Sequence, residues 1–560
     1  MMRALLLIST ILIFLSCGDS TEDKNGTLNS AKTGQEQTET TEKDTDKKDT
    51  TGGETKDQSD TKDQSDTNSV AEDTPQCTPD CSNKECGDDG CGKNCGICSE
   101  DKECNQGQCL EKNDSCPIVQ KAAKIQQVPL NPQSPSGKYE KVKNDKFTDH
   151  FIYNNSGTIK IGIREDWGAS IIFFGIDKGN QGKDNTNVID SHDPGREVQV
   201  AFYDAKRIKQ GCAYNSSCLQ PGANQCVASI SYLGWNPVQG GNRCEEGSPV
   251  KGIAYQNGKL EAEVEPLHWN PDWERNDCQN DACSDSNKKR LKSDIIYRQK
   301  LSFVDERIVM MEMEIENLSN VDIAKYKQEI PTVYTAFGKY GLGNYEVLLD
   351  SNSQAISIDQ PANDGFFTKN FSSPGGWVSL QNTNRDYGVA IYYESHQKQY
   401  DGWQKKNVFN NVRADFRFAI PAKATVRARA YLLLGSYQTN KIDVKNLSDK
   451  IRAFGVMDSP VKNAEITKDK LLVRGWALDN RPIQKIKIYI DGAFSSEVSL
   501  TETRDDVCKV YPNYPSCPKV GFKTDIDISA LSKCPHLLEL KAIEEDGTEH
   551  LFAEEIFIRK

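Results

Sequence analysis

The stretch Thr158-Ile-Lys-Ile-Gly-Ile163 alternates apolar side chains with polar or small ones, and similar patterns recur far along the chain. They include Lys259-Leu-Glu-Ala-Glu-Val-Glu265 and Val412-Arg-Ala-Asp-Phe-Arg-Phe418, and Thr425–Leu434 is rich in β-forming residues. Alternation is typical of strands with one buried face, and Gly, Asn, Asp and Pro clusters separate these runs. We predict no amphipathic helix of three turns between them. Residues 117–440 are therefore predicted to form one large antiparallel β-sandwich, because no internal repeat supports a propeller.

The last hundred residues carry a second set of strand patterns. Leu471–Asp479 and Ile483–Gly492 are apolar-rich runs, and Asp491-Gly492 is a hairpin turn signal. These stretches resemble an Ig-like module that is found beside catalytic domains in exported bacterial proteins. Residues 455–560 are therefore expected to form a small Ig-like β-sandwich, with Trp476 in its core. The predicted fold class of the whole chain is all-β.

The 19 cysteines indicate an oxidising compartment. Residues 77–116 are predicted to form a disulfide-stapled stalk, and residues 77–109 carry eight of the cysteines: Cys77, Cys81, Cys86, Cys91, Cys95, Cys98, Cys104 and Cys109. This stretch resembles a small Cys-rich module of deltaproteobacterial lipoproteins and secreted proteins. Eight cysteines allow 105 pairings, so the connectivity stays open. A zinc site at Cys95-Gly-Ile-Cys98 is the alternative, but the stretch has no His.

Nine further cysteines are spread over the two predicted β domains, and for Cys116, at the entrance to the large domain, the sequence suggests no obvious partner. Six lie in two loop-like inserts that they are expected to brace: Cys212, Cys218, Cys226, Cys244, Cys278 and Cys283. In the C-terminal domain, Cys508 and Cys517 are placed to clip a long loop, and Cys534 is expected to pair with either of them.

The N-terminus indicates export. A positive start precedes the apolar run Ala4–Leu15, which is too short to span a bilayer and suits a signal peptide over residues 1–17. Phe14-Leu-Ser-Cys17 resembles the bacterial lipobox, although Phe14 is unusual at its first position. The resemblance implies lipidation of Cys17, and Gly18 implies sorting to the outer membrane, with the protein held at the cell surface. A plain secretory signal is the alternative.

Most of the net charge of −13 lies in one segment. Residues 18–76 hold 16 acidic residues against 7 Lys, with Leu28 and Val70 as the only large apolar side chains. Such a segment cannot bury enough surface to offset the entropy of ordering, so we predict a disordered acidic linker. The rest of the chain is almost balanced in charge, which excludes nucleic-acid binding through a basic face.

Three stretches of the large domain combine aromatic, amide and charged side chains: Asn187–Asp204, Gly234–Asn242 and Pro266–Trp273. Sugars present apolar ring faces edged with hydroxyls, and these residue types bind them. The candidate catalytic residues are His192, Arg196, Tyr203 and His268, and the candidate substrate-binding residues are Gln199, Trp235, Asn236, Gln239 and Trp269. No cofactor is expected. Calcium held by Asn187, Asp190 and Asp193 is the alternative for the first stretch.

The order of motifs resembles the galactose-mutarotase-like supersandwich over about residues 140–440. In that family a Gly-Arg pair enters a strand and a Gly-Gly turn comes later, matched here by Gly195-Arg196 and Gly240-Gly241. The resemblance implies that His268 occupies the position of the catalytic His and Glu329 that of the catalytic Glu. Gln239 replaces the family's His beside the Gly-Gly turn, so the resemblance supports the fold more than the reaction.

These features favour a surface-tethered, carbohydrate-active protein whose partner is a glycan. As an enzyme it would be a polysaccharide lyase, a glycoside hydrolase or an epimerase. His192 or His268 would act as the base, Arg196 would neutralise an acidic group or orient a hydroxyl, and Tyr203 or Glu329 would act as the acid. The alternative is a non-catalytic glycan-binding protein or adhesin with the same fold.

Overall fold

The computed structural model describes residues 80–82, 84–99, 102–105, 108–111, 116–117, 119–121, 138–178, 186–192, 195–203, 235–236, 247–268, 291–337, 343–357 and 367–560. The predictions of a signal peptide, of a lipidated Cys17 and of a disordered linker over 18–76 lie outside these residues. So do Gln239, Trp269 and the cysteines of the two inserts. The described chain forms two compact units that divide between Cys116 and Pro117.

The first unit is built on disulfides. Among its described residues, β1 (Lys102–Asn105) and β2 (Gln108–Glu111) form a hairpin. The pairs are Cys81–Cys95, Cys86–Cys104 and Cys98–Cys109, and Cys91 and Cys116 are also disulfide-bonded. Because Cys95 and Cys98 are each bonded to another cysteine, neither offers a thiolate to zinc. The prediction of a disulfide module is confirmed.

The second unit begins with a large β domain. Its strands are β3 (Tyr139–Asn144), β4 (Phe147–Tyr153), β5 (Ile159–Arg164), β6 (Ser170–Ile176), β7 (Val198–Ala201), β8 (Trp235–Asn236), β9 (Val250–Gln256), β10 (Lys259–Val264), β11 (Leu267–His268), β12 (Leu291–Lys292), β13 (Ile295–Asp305), β14 (Ile308–Asn317), β15 (Ile323–Ala336), β16 (Val347–Asp350), β17 (Phe367–Ser372), β18 (Trp377–Gln381), β19 (Gly388–Tyr393), β20 (Gln399–Lys405), β21 (Phe409–Ala414), β22 (Phe416–Ile420) and β23 (Thr425–Leu434). A 3-10 turn at Glu165–Trp167 follows β5.

Two antiparallel sheets face each other in this domain. One has eight strands in the order β16-β18-β19-β23-β14-β13-β10-β9. The other has ten, in the order β17-β20-β21-β15-β7-β6-β5-β4-β3, with β22 also paired to β15. Ile161 and Val200 of the ten-stranded sheet share a core with Leu301 and Leu432 of the eight-stranded sheet, and all four are fully buried. Each such side chain contributes about 1.5–3 kcal/mol of transfer free energy. The predicted all-β sandwich is confirmed.

One local prediction was wrong. Val412–Phe418 was predicted as one strand, but β21 ends at Ala414 and β22 begins at Phe416. A helix, α1 (Tyr437–Lys450), follows the last of the predicted strand runs. Its N-cap is Ser436, whose Oγ accepts from the amide of Thr439 at 3.1 Å. Few apolar side chains of α1 are buried, so its sequence carries a weak helical pattern.

The C-terminal part is a second two-sheet β structure. Its elements are β24 (Phe454–Ser459), β25 (Ala464–Ile466), β26 (Lys470–Leu478), β27 (Ile483–Ile490), β28 (Ala493–Val498), β29 (Glu502–Thr503), α2 (Asp505–Val510), β30 (Lys519–Asp527), β31 (Pro535–Glu544) and β32 (Glu549–Arg559). The sheet orders are β24-β26-β30-β29 and β25-β32-β31-β27-β28. Asp491 and Gly492 both have positive φ between β27 and β28, which confirms the predicted hairpin turn. Trp476 is half-buried in a cluster with Phe454.

A disulfide closes the loop after β29 in this part. Cys508 and Cys517 are paired with each other, as predicted. Cys534 is itself disulfide-bonded, so it pairs with a different cysteine and the prediction for it was wrong.

Buried polar groups join the two β domains of the second unit. Glu394, which follows β19, is 1% exposed and accepts hydrogen bonds from Tyr431 at 2.7 Å and Arg429 at 2.8 Å. Tyr514, in the loop closed by the Cys508–Cys517 disulfide, also donates to Glu394 at 2.8 Å. No helix among the described residues has the length and apolar content to cross a membrane.

Candidate functional site

The ten-stranded sheet has one face against the core and one face turned away from it, here called the site face. In β7, Val198 and Val200 point into the core. Because successive side chains of a strand alternate between faces, Gln199 lies on the site face. Tyr203, just beyond β7, has the same parity and follows the same face. This strand therefore carries two of the predicted site residues.

A bulge in β15 lies opposite these residues. Gln328 pairs with Phe416 of β22, and Thr332 pairs with Arg413 of β21. Three residues of β15 between these pairs therefore oppose only two on the other side, Ala414 and Asp415. A single extra residue of this kind bends a strand and re-aims its side chains. Glu329 is the first residue of the bulge.

Glu329 is held through one carboxylate oxygen. Its Oε1 accepts from the Tyr203 hydroxyl at 3.1 Å and from Arg413 Nη1 at 2.6 Å. No residue that the structure describes donates a hydrogen bond to its Oε2. The Gln328 side chain fixes Tyr203 in turn, since it accepts from the Tyr203 amide at 2.7 Å and donates to the Tyr203 carbonyl at 2.9 Å. With respect to the described residues, the second oxygen of Glu329 is therefore open to a hydrogen bond from a ligand.

The charges around Glu329 fix which groups carry protons. Burial, with the Glu329 carboxylate adding to it, raises the pKa of Tyr203 well above its usual value. Burial opposes ionisation of Arg413, but the Glu329 carboxylate and the neighbouring tyrosines together outweigh it and raise the pKa of that guanidinium. Tyr203 therefore stays a hydroxyl donor, and Arg413 stays a cation.

A lysine lies two residues before Glu329 on the same face. Lys327 contacts the buried carboxylate of Asp401 and lies 3.9 Å from Oδ1 of Asp415. Arg413 Nε is 3.7 Å from Oδ2 of Asp401, so two cations share this carboxylate. Burial, together with the nearby Arg413 guanidinium, lowers the pKa of Lys327 to about 8. Lys327 therefore gives up its proton more readily than a solvent-exposed lysine does.

Aromatic rings border the charged groups. Trp403 meets the edge of Phe409 at 5.3 Å and of Tyr334 at 6.1 Å, measured between ring centroids. The Arg413 guanidinium carbon is 5.9 Å from the Trp403 ring, and that of Arg196 is 5.1 Å from the Phe409 ring. The rings therefore link the Glu329–Arg413 pair to Arg196. Flat apolar faces beside charged donors suit a sugar ring.

His192 belongs to a chain of three polar side chains. Its Nδ1 lies 2.5 Å from Asp190 Oδ1, and its Nε2 lies 2.7 Å from Arg196 Nη1. Since the guanidinium can only donate, Nε2 is the acceptor and Nδ1 carries the ring proton. In this arrangement His192 orients Arg196, because its lone pair faces Arg196 and not an open space. Its role as a base stays a prediction.

The structure brings five of the predicted site residues to one face: His192, Arg196, Gln199, Tyr203 and Glu329. For Trp235, Asn236 and His268 the structure describes the backbone but not the side chain. Gln239 and Trp269 lie outside the described residues. The backbone shows that Trp235 and His268 are register partners in a three-stranded sheet of order β12-β11-β8. The predicted substrate-binding residues Trp235 and Asn236 therefore lie beside the predicted His268.

The calcium alternative meets an obstacle at one of its three residues. Asn187 Oδ1 accepts from the backbone amides of Phe174 at 3.0 Å and Ile189 at 3.1 Å. Both lone pairs of this oxygen are in use, so Asn187 has none left for an ion. Asp193 lies outside the described residues.

Five residues of the site were missed: Lys327, Tyr334, Asp401, Trp403 and Arg413. A signal for two of them was present, because Arg413 and Lys327 are charged residues inside apolar strand patterns. A charge that alternates with buried residues in a strand near the middle of a sheet needs a partner on the same face. The residues that pair with Arg413 and Lys327 could not be identified from the sequence, because they depend on which strands are neighbours in the sheet.

A second buried polar cluster lies in the C-terminal part. Asp479, Glu544 and His550 bring one possible ligand atom each within 4.8 Å of one another. However, Arg481 Nε is 2.9 Å from Glu544 Oε2, and Arg452 Nη1 is 2.5 Å from His550 Nε2. Burial opposes protonation of His550, but the nearby carboxylates of Asp479 and Glu544 outweigh it and raise the pKa of His550 to about 8. Because Nδ1 then carries a proton, this cluster is an ion-pair network and offers a metal no nitrogen.

Comparisons with known proteins come from structure alone, since no family model and no curated protein matches the chain. Its structural neighbours include putative aldose epimerases. One from Klebsiella pneumoniae has a TM-score of 0.31 and 11% identity, and covers 56% of this chain and 87% of its own. A putative mutarotase from Salmonella typhimurium has a TM-score of 0.28 and 8% identity, and covers 57% and 97%.

A polysaccharide lyase is a further neighbour, with a TM-score of 0.28 and 8% identity. The match covers 75% of this chain but spans only about half of the lyase, 47% of its length. Likeness at this level supports no assignment of activity. A functional proposal therefore rests on the residues of the site face.

Proposed function

We propose that the protein is held at the cell surface through a lipidated Cys17 and acts on a glycan at the site face of its large domain. The observation that carries the proposal is the state of Glu329. One carboxylate oxygen is held by Tyr203 and Arg413, and the other receives no hydrogen bond from the described residues. Such a carboxylate is oriented but still able to accept a proton.

Lys327 and Glu329 form a pair of proton-transfer groups. They lie two residues apart on β15, which separates their Cα atoms by about 6.6 Å along the strand. In opening or inverting a sugar ring, Glu329 would take a proton from a hydroxyl or from an acidic C–H, and Lys327 would return a proton to the oxygen that gains charge. Arg413 would stabilise that developing charge, and Trp403 would stack on the apolar face of the ring.

The catalytic proposal is tested with the full chain and a panel of aldoses, oligosaccharides and polysaccharides. Optical rotation reports ring opening, new reducing ends report hydrolysis, and ultraviolet absorbance reports an unsaturated product. Glu329→Gln should lower the rate at least about 100-fold, as expected for a lost proton-transfer group. Glu316→Gln is the matched control, because that carboxylate pairs with Arg298 on the opposite sheet.

The outcomes separate the two functional hypotheses. Wild-type activity in Glu329→Gln would remove Glu329 from the mechanism. Glycan binding by the wild type without turnover would favour the glycan-binding protein or adhesin. Neither binding nor turnover on any sugar would reject the proposal.

The anchoring proposal needs its own experiment. Cells that express the full chain are grown with radioactive palmitate and then treated with proteinase while intact. Incorporation of label that is lost in Cys17→Ala, with digestion of the protein from outside, is the expected result. An unlabelled protein released into the medium would support the plain secretory signal instead.

A further inference from the structure

The hydroxyl of Tyr393 crosses the core to reach the strands that carry the site. Tyr393 ends β19 of the eight-stranded sheet and is fully buried. Its hydroxyl donates to the carbonyl of Pro331 in β15 at 2.8 Å and accepts from the amide of Ala414 in β21 at 3.3 Å. Its ring packs edge-on against Phe416, 5.1 Å away between centroids. One side chain of the opposite sheet therefore bridges two strands of the ten-stranded sheet.

The bridge lies where the ladder between these strands stops. Thr332 and Arg413 are the last register pair of β15 with β21. The next residues, Pro331 and Ala414, belong to the bulge, and proline has no amide hydrogen to pair. Here the Tyr393 hydroxyl supplies the partner of both the Pro331 carbonyl and the Ala414 amide. It thus sets the spacing of the two strands at the bulge.

This spacing controls the pair on which the proposed function rests. Glu329 precedes Pro331 by two residues, and Arg413 directly precedes Ala414. A change in the distance between Pro331 and Ala414 is therefore passed on to the 2.6 Å contact of Arg413 with Glu329. We propose that Tyr393 is a positioning residue, whose hydroxyl holds Glu329 and Arg413 in register for proton transfer.

The chemistry of the hydroxyl suits this role. Burial raises the pKa of Tyr393, so that its proton stays in place to be donated to Pro331. A phenylalanine would fill the same core volume and lose both hydrogen bonds. The bridge is therefore a property of one oxygen atom, and it can be removed without emptying the core.

Tyr393→Phe and Tyr392→Phe form a matched pair of variants. Tyr392 is the preceding residue of β19, is also fully buried, and has a hydroxyl that accepts from Asn480 in the C-terminal part at 3.0 Å. Each variant loses one buried hydroxyl from the same strand. Only the Tyr393 hydroxyl touches the strands of the site.

The experiment compares crystal structures and steady-state kinetics of the full-length wild type and both variants. In Tyr393→Phe, the Arg413–Glu329 distance should exceed hydrogen-bond range, about 3.5 Å. Its kcat should fall by up to about 100-fold with KM unchanged, because a small misplacement of reacting groups acts on the rate of the chemical step. Tyr392→Phe should leave the distance and kcat as in the wild type.

Two results would overturn the proposal: an unchanged Arg413–Glu329 contact in Tyr393→Phe, or an equal loss of kcat in both variants. An inactive wild type would be a failure of the proposed function alone. The crystal structures would still decide whether Tyr393 holds the pair together.

Discussion

Replacing Arg413 with methionine tests whether the Glu329–Arg413 pair is an electrostatic unit. Methionine keeps an unbranched apolar stem of similar reach but has no charge and no donor. The change leaves Glu329 with Tyr203 as its remaining hydrogen-bond donor among the described residues. It also frees the Asp401 carboxylate from one of its two cations.

The expected cost follows from burial. The Glu329 side chain is 10% exposed and that of Arg413 is 19% exposed. Leaving a buried charge without its partner costs about 3–5 kcal/mol, and the bond from Tyr203 places this case near the lower value, at about 3 kcal/mol. Glu329→Gln should cost less, since Arg413 keeps Asp401. The loss of unfolding free energy in the double variant should be smaller than the sum of the losses in the two single variants by about 2 kcal/mol, as for residues in direct contact.

The free energy of unfolding is measured in urea by tryptophan fluorescence for the wild type, both single variants and the double variant. Arg427→Met is the matched control. Arg427 pairs with Glu314 at 3.0 Å on the eight-stranded sheet, but the two side chains are 43% and 33% exposed. A pair so exposed contributes less than about 1 kcal/mol. Equal losses in Arg413→Met and Arg427→Met, or simple additivity in the double variant, would refute the coupling.

Three further predictions concern other parts of the second unit. Tyr514→Phe removes one donor from the buried Glu394, so the free energy of unfolding should fall by about 1.5–3 kcal/mol, with faster amide exchange in the loop closed by the Cys508–Cys517 disulfide. The pKa of His550, raised to about 8 from 6.5, gives a stabilisation that is complete below pH 6.5 and lost as the pH rises through 8. Urea unfolding between pH 6 and 9 should show this loss, about 2 kcal/mol in the wild type, and His550→Asn should lack it. Trp403→Ala should weaken glycan binding at least 10-fold, about 1.4 kcal/mol by calorimetry, with little effect on kcat; unchanged affinity would exclude stacking on this ring.

The β architecture could be predicted because it depends on local patterns. Thr425–Leu434 was assigned as a strand from composition and forms β23 with the same bounds. Alternation reports which face of a strand is buried, and burial is the main source of stability in a sandwich. The helix α1 was not predicted from the sequence because its buried face is narrow and is interrupted by polar residues, including the buried Asn440.

The site was predicted in part for a different reason. Arg196 and Tyr203 were chosen because a polar turn runs directly into a strand, and Glu329 was chosen from the resemblance to the mutarotase-like family. All three lie on the site face. Arg413 could not be linked to Glu329, because their contact depends on a bulge of one residue between strands that are far apart in sequence. A shift of one residue in register reverses the face of every side chain. Local patterns do not contain that information.

Glu394 accepts hydrogen bonds from residues of both β domains, and this limits where the chain can be truncated or fused to another domain. A truncation after Lys450 would look natural, since a helix ends there and a new β structure begins. It would, however, strip the Tyr514 donor from a carboxylate that is buried in the intact chain. A shortened chain, or one fitted with a foreign C-terminal module, needs compensation at Glu394. The two β domains are therefore structurally dependent on each other, and a domain exchange has to keep Glu394 and Tyr514 together.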